Sequence, residues 1–379
     1  MNITDNIKYI GVNDHETDLF EGQYDIPDGI SYNSYVILDE KIAVFDTVEI
    51  GFAHRWLKNL KKVATRVDYL VISHVEPDHS SSIVEFTKEF PDAKIVGNQK
   101  TFNMLKAFFG YDFSQNGIVV KYGERLSLGN HTLTFHLAPM VHWPEVMMTY
   151  EESEEVLFSA DAFGRFGALD VPMGWACEAR RYYFGIVGKY GAQVQGLLKK
   201  FTDVPVSKIC PLHGPVLDSD LNYYLNLYNV WSSYKPEKNG VAICYTSVYG
   251  NTKKAALMLF SELSDRGLDV SIFDLARDDM HEAVEDAFKY STLVLATTTY
   301  NGDIFPHMKE FINHLTERSY QNRRVAFIEN GSWAPMATKV MKNMLEKCKN
   351  LEIIDTGVTI LSALDENSTE QIKALASEL

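Results

Sequence analysis

The six residues His74-Val-Glu-Pro-Asp-His79 constrain this chain more than any other stretch. They directly follow an apolar run, Tyr69-Leu-Val-Ile-Ser, that reads as a buried strand. A strand ending in a polar turn delivers several side chains into one crevice. Four ligand types, His74, Glu76, Asp78 and His79, fall in this turn, and Pro77 stiffens it, so less entropy is lost on closing around a cation. Further ligand-type residues stand just past later apolar runs. His142 precedes Trp143-Pro144, Asp161 follows Val156-Leu-Phe-Ser-Ala, and His213 lies between Ile209-Cys-Pro-Leu and Gly214-Pro215. Four imidazoles and three carboxylates exceed the four ligands of a tetrahedral zinc. They suit two metals roughly 3.5–4 Å apart that share a bridging carboxylate. Nitrogen and oxygen donors without cysteine favour redox-active iron, with zinc and manganese also compatible. His15, His54, His131, His136, His281, His307 and His314 lack this context and read as surface, helix or strand-face residues.

A length of 379 residues predicts two domains. The polar segment Trp231-Ser-Ser-Tyr-Lys-Pro-Glu-Lys-Asn-Gly240 reads as the linker, giving domains over 1–235 and 240–379. Before it, strands are predicted at 35–38, 41–45, 69–73, 94–97, 133–138 and 156–160, with helices near 51–63, 80–90, 100–109 and 179–201. The early strands come as neighbours, which predicts sheets with helices on their outer faces. After it, apolar runs at 241–246, 270–275, 292–297, 324–329 and 352–360 alternate with helical stretches. That alternation predicts a doubly wound parallel sheet in the order 2-1-3-4-5.

The first strand of the second domain opens into Thr246-Ser247-Val248-Tyr249-Gly250-Asn251-Thr252 at a helix start. Small hydroxyl residues and a glycine let backbone N–H groups close around a phosphate, and the helix N-terminus adds unpaired donors. The loop fits neither GxGxxG nor GxxxxGK[ST], which disfavours a dinucleotide or nucleoside triphosphate. Two more loops leave the third and fourth strands. One carries Thr298, Thr299, Tyr300, Asn301 and Gly302; the other carries Asn330, Gly331, Ser332 and Trp333. In the 2-1-3-4-5 order all three loops meet at one switch-point crevice, where Tyr300 and Trp333 would flank a planar ring. They resemble the phosphate and aromatic loops of flavodoxin, which implies FMN.

Residues 74–79, His142, Asp161 and His213 resemble the metallo-β-lactamase fold pattern, whose hydrolase members carry HxHxDH at the first motif. Glu76 stands in place of the second histidine, and this is similar to the flavodiiron proteins, or A-type flavoproteins. The resemblance spans nearly the whole chain. It implies an αββα sandwich followed by a flavodoxin-like domain. It implies an oxo- or hydroxo-bridged diiron centre with His74, Glu76 and His142 on one iron, Asp78, His79 and His213 on the other, and Asp161 between them. It further implies reduction of dioxygen to water, of nitric oxide to nitrous oxide, or both, and a head-to-tail homodimer or dimer of dimers. One departure stands out. The stretch from Asp161 to Ala179-Arg-Arg-Tyr-Tyr is shorter than the family pattern, which bears on substrate access. There Tyr182 reads either as a hydrogen-bond donor to the pocket or as a buried helix aromatic.

A flavin beside a diiron site favours an oxidoreductase over the alternative, a zinc hydrolase with an attached flavodoxin domain. The four cysteines, Cys177, Cys210, Cys244 and Cys348, are too scattered for an iron–sulfur or rubredoxin-type site. Electrons therefore come from a separate donor such as rubredoxin or a flavin reductase. A net charge of −15 disfavours nucleic acid or an anionic membrane as partner. No signal peptide or apolar span is evident, so the expected location is cytoplasmic.

Overall fold

Strands in the first half are short and buried on both faces. Tyr35–Ile37, Ala43–Phe45 and Tyr69–Val71 have no exposed residue. Apolar side chains at successive positions need cover on both sides of a sheet, and the computed structural model, which describes residues 2–379, supplies it. A six-stranded mixed sheet runs Ile7–Tyr9, Tyr35–Ile37, Ala43–Phe45, Tyr69–Val71, Lys94–Gly97, Gly117–Val119. A five-stranded sheet runs Arg125–Ser127, Thr132–Leu137, Met147–Glu151, Val156–Phe158, Lys208–Cys210. Alternate residues of the first sheet, among them Tyr35, Phe45 and Val71, meet Leu133, Phe135, Met147 and Phe158 of the second. The Phe45 and Phe158 rings stack at 3.9 Å. The opposite set, Val36, Val44, Leu70 and Ile95, packs on Trp56, Leu60, Phe86, Phe102 and Leu105 from the helices Ala53–Lys61, Ile83–Glu89 and Gln99–Phe109. This is the predicted sandwich of two sheets with outer helices.

The predicted helix over 179–201 is interrupted. Ala176–Tyr182 is α-helical, Tyr183–Val187 forms a π turn, and Gly191–Lys200 resumes the helix. Packing explains the break. The Tyr24 hydroxyl donates to Gly185 O at 2.8 Å, and its ring lies so near that a β-carbon on Gly185 would meet it at 2.8 Å. A π turn is a common way to fit such an intrusion.

The chain divides between Asn229 and Val230. In the second unit the parallel order is Val270–Asp274, Lys238–Tyr245, Tyr290–Tyr300, Arg324–Asn330, and then a fifth position, which is the predicted 2-1-3-4-5. The fifth strand is split into Glu352–Ile353 and Val358–Ile360 around the turn-prone Asp355-Thr-Gly357. On one face Val241, Ile243, Val294 and Ile328 bury against Ala255, Leu259, Leu263, Ile372 and Leu375 of two helices. Residues 231–240, predicted as a linker, carry the end of the helix Leu221–Ser232 and the start of a strand. Their polar groups are tied within the second unit: Trp231 Nε1 donates to Glu237 Oε2 at 2.9 Å, and Arg323 Nη1 donates to Tyr234 O at 2.7 Å. Among the described residues no helix is long and apolar enough to cross a membrane.

Two turns of the first unit are joined by a buried ion pair. His131 presents both its backbone N and Nδ1 to Asp39 Oδ2 at 2.7 Å, and its Nε2 lies 3.1 Å from Glu154 Oε1. Burial opposes charge on the imidazole, but the two carboxylates win and raise its pKa. Burial likewise opposes ionised Asp39, and the bonds from His131 hold it well below the usual range. Folding thus gains from His131 below its unfolded pKa of about 6.5 and loses that gain as pH rises through the folded value. The Asp39 contribution vanishes in acid. We predict that His131→Gln lowers the unfolding midpoint at pH 5.5, by about 2–4 °C per kcal/mol lost, and lowers it less at pH 9. Calorimetric melts of both proteins at the two pH values check this.

Candidate functional site

The metal-ligand residues all follow strand ends: His74 and Glu76 after Tyr69–Val71, Asp78 and His79 in the short helix Pro77–Ser80 that comes next, and His142, Asp161 and His213 in loops after Thr132–Leu137, Val156–Phe158 and Lys208–Cys210. Asp46, which follows Ala43–Phe45, adopts φ 53° and accepts from Ser73 N at 2.7 Å and His74 N at 3.2 Å. It thereby fixes the start of the 74–79 turn. Asp161 lies between two more residues of positive φ, Ala160 at 51° and Phe163 at 68°. Such strain persists only where surrounding bonds enforce it. Here Leu212 N donates to Ala160 O at 2.9 Å and Gly164 N to Asp161 O at 3.1 Å.

All seven predicted ligands converge, in two sets. His74, Glu76, His142 and Asp161 form one set; Asp78, His79 and His213 form the other. In the first, His142 Nε2 is 3.1 Å from both Glu76 Oε2 and Asp161 Oδ2, and His74 Nε2 is 3.1 Å from Glu76 Oε2 and 3.3 Å from Asp161 Oδ2. In the second, Asp78 Oδ2 is 3.3 Å from His79 Nε2 and 3.2 Å from His213 Nε2. Asp161 Oδ1 faces this second set, 3.2 Å from His79 Nε2 and 3.8 Å from His213 Nε2. Ligands about 2.0–2.2 Å from one cation lie roughly 3.0–3.5 Å from each other, and these separations match. One carboxylate therefore turns an oxygen to each set, which is the geometry of a bridge.

The buried polar inventory tests the fit. Both oxygens of Asp78 and Asp161, and Nε2 of His79 and His213, are buried without a hydrogen-bond partner. Buried polar groups are almost always paired, and a pair of cations would pair these. Burial would push the Asp161 carboxyl up, but the imidazoles of His74, His79 and His142 outweigh it and hold the group well below the usual range.

Residues not singled out in the sequence orient the ligands. His74 Nδ1 lies 2.7 Å from Glu145 Oε1, which also accepts from Val75 N at 2.9 Å. His213 Nδ1 lies 2.8 Å from Ser31 O. Each contact leaves Nε2 free for a metal. The spacing His142-x-x-Glu145 was the available signal for Glu145; Ser31 acts through its backbone and leaves none. Tyr182 is buried, its ring 5.5 Å from that of His213, and its hydroxyl makes no hydrogen bond among the described residues. Glu21, on a hairpin turn, was also not foreseen. Desolvation, reinforced by Glu76, pushes its carboxyl up to about 7.

In the second unit the three predicted loops line one cavity of about 530 Å³. Ser247, Val248, Tyr249, Asn251, Thr252, Thr298, Thr299, Tyr300, Asn301, Gly302, Asn330, Gly331, Ser332 and Trp333 all reach it. Ala334, Met336 and Ser362 add to the wall. Thr246 and Gly250 do not: the Thr246 hydroxyl is 2.6 Å from that of Thr297, and Gly250 makes the turn with φ 87°. The first helical bond runs from Lys254 N to Gly250 O, so the amides of Asn251, Thr252 and Lys253 face out of the helix end as donors. Tyr249 and Trp333 are 92% and 91% exposed, an unusual state for large rings unless a ligand covers them. The donors and rings fit a phosphate carrying a flat apolar group.

Comparison with known proteins agrees with both halves. Residues 30–214 match the model of the ODP family beta lactamase, and 242–376 match a flavodoxin domain. The chain is 30% identical to the nitric oxide reductase of Moorella thermoacetica, over 94% of this chain and 92% of that one. It is 30% identical to the anaerobic nitric oxide reductase flavorubredoxin of Salmonella arizonae, over 91% of this chain and 74% of that one. Among solved structures, the rubredoxin oxygen:oxidoreductase of Desulfovibrio gigas superposes with a TM-score of 0.92 at 26% identity, covering 100% of this chain and 96% of the other. The flavodiiron protein of Giardia intestinalis shares the fold at a TM-score of 0.93 and 24% identity, covering 100% and 95%.

The Glu145 contact generates a prediction. Glu145→Gln keeps the shape but removes the charge that orients His74, so metal affinity should fall roughly 10–100-fold. Competition with a chelator, followed by metal analysis, measures this; unchanged affinity would contradict the assignment.

Proposed function

Because the chain belongs to the flavodiiron protein family, we propose that it reduces dioxygen to water, nitric oxide to nitrous oxide, or both, with FMN and a diiron centre. The observation that carries this reading is Asp161, whose two oxygens face two separate nitrogen–oxygen ligand sets in a chain that also holds a flavin crevice. His74, Glu76 and His142 would hold one iron and Asp78, His79 and His213 the other, with Asp161 shared between them. Bound together, the iron pair and flavin supply a site for a small diatomic molecule and a store of electrons delivered singly.

The chain's own residues set the conditions. Glu145 and Ser31 O fix imidazole orientation, so no reorganisation is needed when ligands are engaged. Buried Phe20, Phe166 and Tyr182 pack beside His213 or one another and keep bulk water from that side. Among the second unit's loops, Asn251 and Thr252 would present donors to the phosphate, and Tyr300 and Trp333, which line the same cavity, would flank the ring. For the electron donor the reading takes a rubredoxin-type protein or a flavin reductase, supported by the likeness to a rubredoxin oxygen:oxidoreductase. We place the protein in the cytoplasm.

Parallel anaerobic assays with each gas, donor in excess, test the reading. We predict that Asp161→Asn retains FMN, binds iron weakly and loses gas reduction by at least about 100-fold, the scale of a lost charge-stabilising group. Full activity with two irons retained would refute the bridge.

We further propose a head-to-tail homodimer in which the flavin of one subunit serves the metal pair of the other. A two-fold interface makes both cross-subunit contacts at once, and the two centres lie in separate units of one chain. Mixing an FMN-free variant with an iron-free variant, under subunit exchange, should restore activity that neither parent shows. No recovery in heterodimers verified by native mass spectrometry would place electron transfer within one subunit.

A further inference from the structure

The polar contacts of His142, to Glu76, His74 and Asp161, all run through Nε2. His74 and His213 are each held at Nδ1 as well, by Glu145 and by Ser31 O. Among the described residues no hydrogen bond meets Nδ1 of His142, so nothing of that kind sets the plane of its ring. An indole packs there instead. The centroid of Trp143 lies 5.9 Å from that of His142, at 65°, and 5.1 Å from that of His74, at 89°. These edge-to-face pairs are an arrangement that aromatic rings prefer. Trp143 is itself tied down. Its carbonyl accepts from Met140 N at 2.8 Å and from Val146 N at 3.4 Å, and Ala138 N donates to Val146 O at 2.9 Å, which closes residues 138–146 into a tight loop. On the outer side Phe108, at the end of the helix Gln99–Phe109, lies parallel to the indole at 6.3 Å and 7°. Exposure rises along the series. The His74 and His142 side chains are 0% and 7% exposed, Trp143 is half-buried, and Phe108 is 49% exposed. The indole therefore stands between the imidazoles of the first ligand set and water.

We propose that Trp143 is a positioning residue of the metal centre, whose indole fixes the His142 ring and keeps water from the first ligand set, so that the iron held there is retained. This inference rests on the diiron reading. A histidine leaves a metal by turning its ring away and letting water take its place. For His74 that turn breaks the bond to Glu145. For His142 it requires displacing an indole whose backbone is tied and whose outer face is braced by Phe108. The rings of the second set pack elsewhere: His79 on His74 and His213, and His213 on Phe20, Tyr32 and Tyr182. The effect of Trp143 thus falls on one iron of the pair.

Protein loaded with two isotopically enriched irons, reduced and kept anaerobic, is mixed with excess of a coloured ferrous chelator. Trp143→Ala should release one iron about tenfold faster than the parent, the scale for losing an outer support of a ligand, and the other at the parent's rate. Trp143→Phe, which keeps a ring in place, should restore slow release. Mössbauer spectra of the loaded samples should show one iron signal altered in Trp143→Ala and the other unchanged. Release from Trp143→Ala at the parent's rate overturns the proposal. So does equal acceleration of both irons, which marks a general loosening, and so does release from Trp143→Phe as fast as from Trp143→Ala. Should Trp143→Ala not fold, Phe108→Ala at the surface decides: faster loss of one iron sustains the proposal, and loss at the parent's rate overturns it. Each of these failures, in a parent that holds two irons, leaves the diiron reading standing. A parent that binds fewer than two irons overturns both.

Discussion

A carboxylate buried from water with no hydrogen-bond donor has to be balanced by positive charge, and Asp161 is such a group. Desolvating an isolated ion is far too costly for a fold of marginal stability to absorb. Everything around Asp161 reads as an answer to that cost. Four imidazoles surround it, two further carboxylates share the cations it needs, and strained residues on each side keep it from turning to solvent. The sandwich beneath is the frame that lets loops from several strands meet there.

The metal motif was legible because coordination chemistry demands particular side chains, and those are visible as letters. His74 to His79 announced themselves by density, and His142, Asp161 and His213 by standing just past apolar runs. The support was less legible. Asp46 holds the turn with its side-chain carboxylate but stands in the sequence as one acidic residue among many, and the Ser31 carbonyl that meets His213 is a group any residue could offer, so neither carried much signal. Glu145 carried some, through its spacing from His142. Glu21 carried none, since a lone glutamate on a turn is ordinary until the fold sets it beside Glu76.

The fold shows the same division. Strand and helix periods gave the parallel sheet of the second unit, because five apolar runs of similar length alternate with amphipathic stretches. The π turn at Tyr183–Val187 was hidden, since its cause is Tyr24, some 160 positions earlier. The stretch read as a linker adjoins the division between Asn229 and Val230, and its Trp231 and Tyr234 find partners at Glu237 and Arg323. Thr246 and Gly250 were placed in the right loop, yet serve its shape and not its contents.

Each ligand set holds one imidazole pinned at its outer nitrogen: His74 by Glu145, itself tied to Val75 N, and His213 by Ser31 O. His79 differs, because its Nδ1 is buried with no partner. Its ring packs against the rings of His74 and His213, both of which are anchored. Two neighbouring imidazoles thus keep their aim through bonds to the frame, while the one between them has no outer bond to break when it turns. The centre has fixed members on both sides and one adjustable member among them.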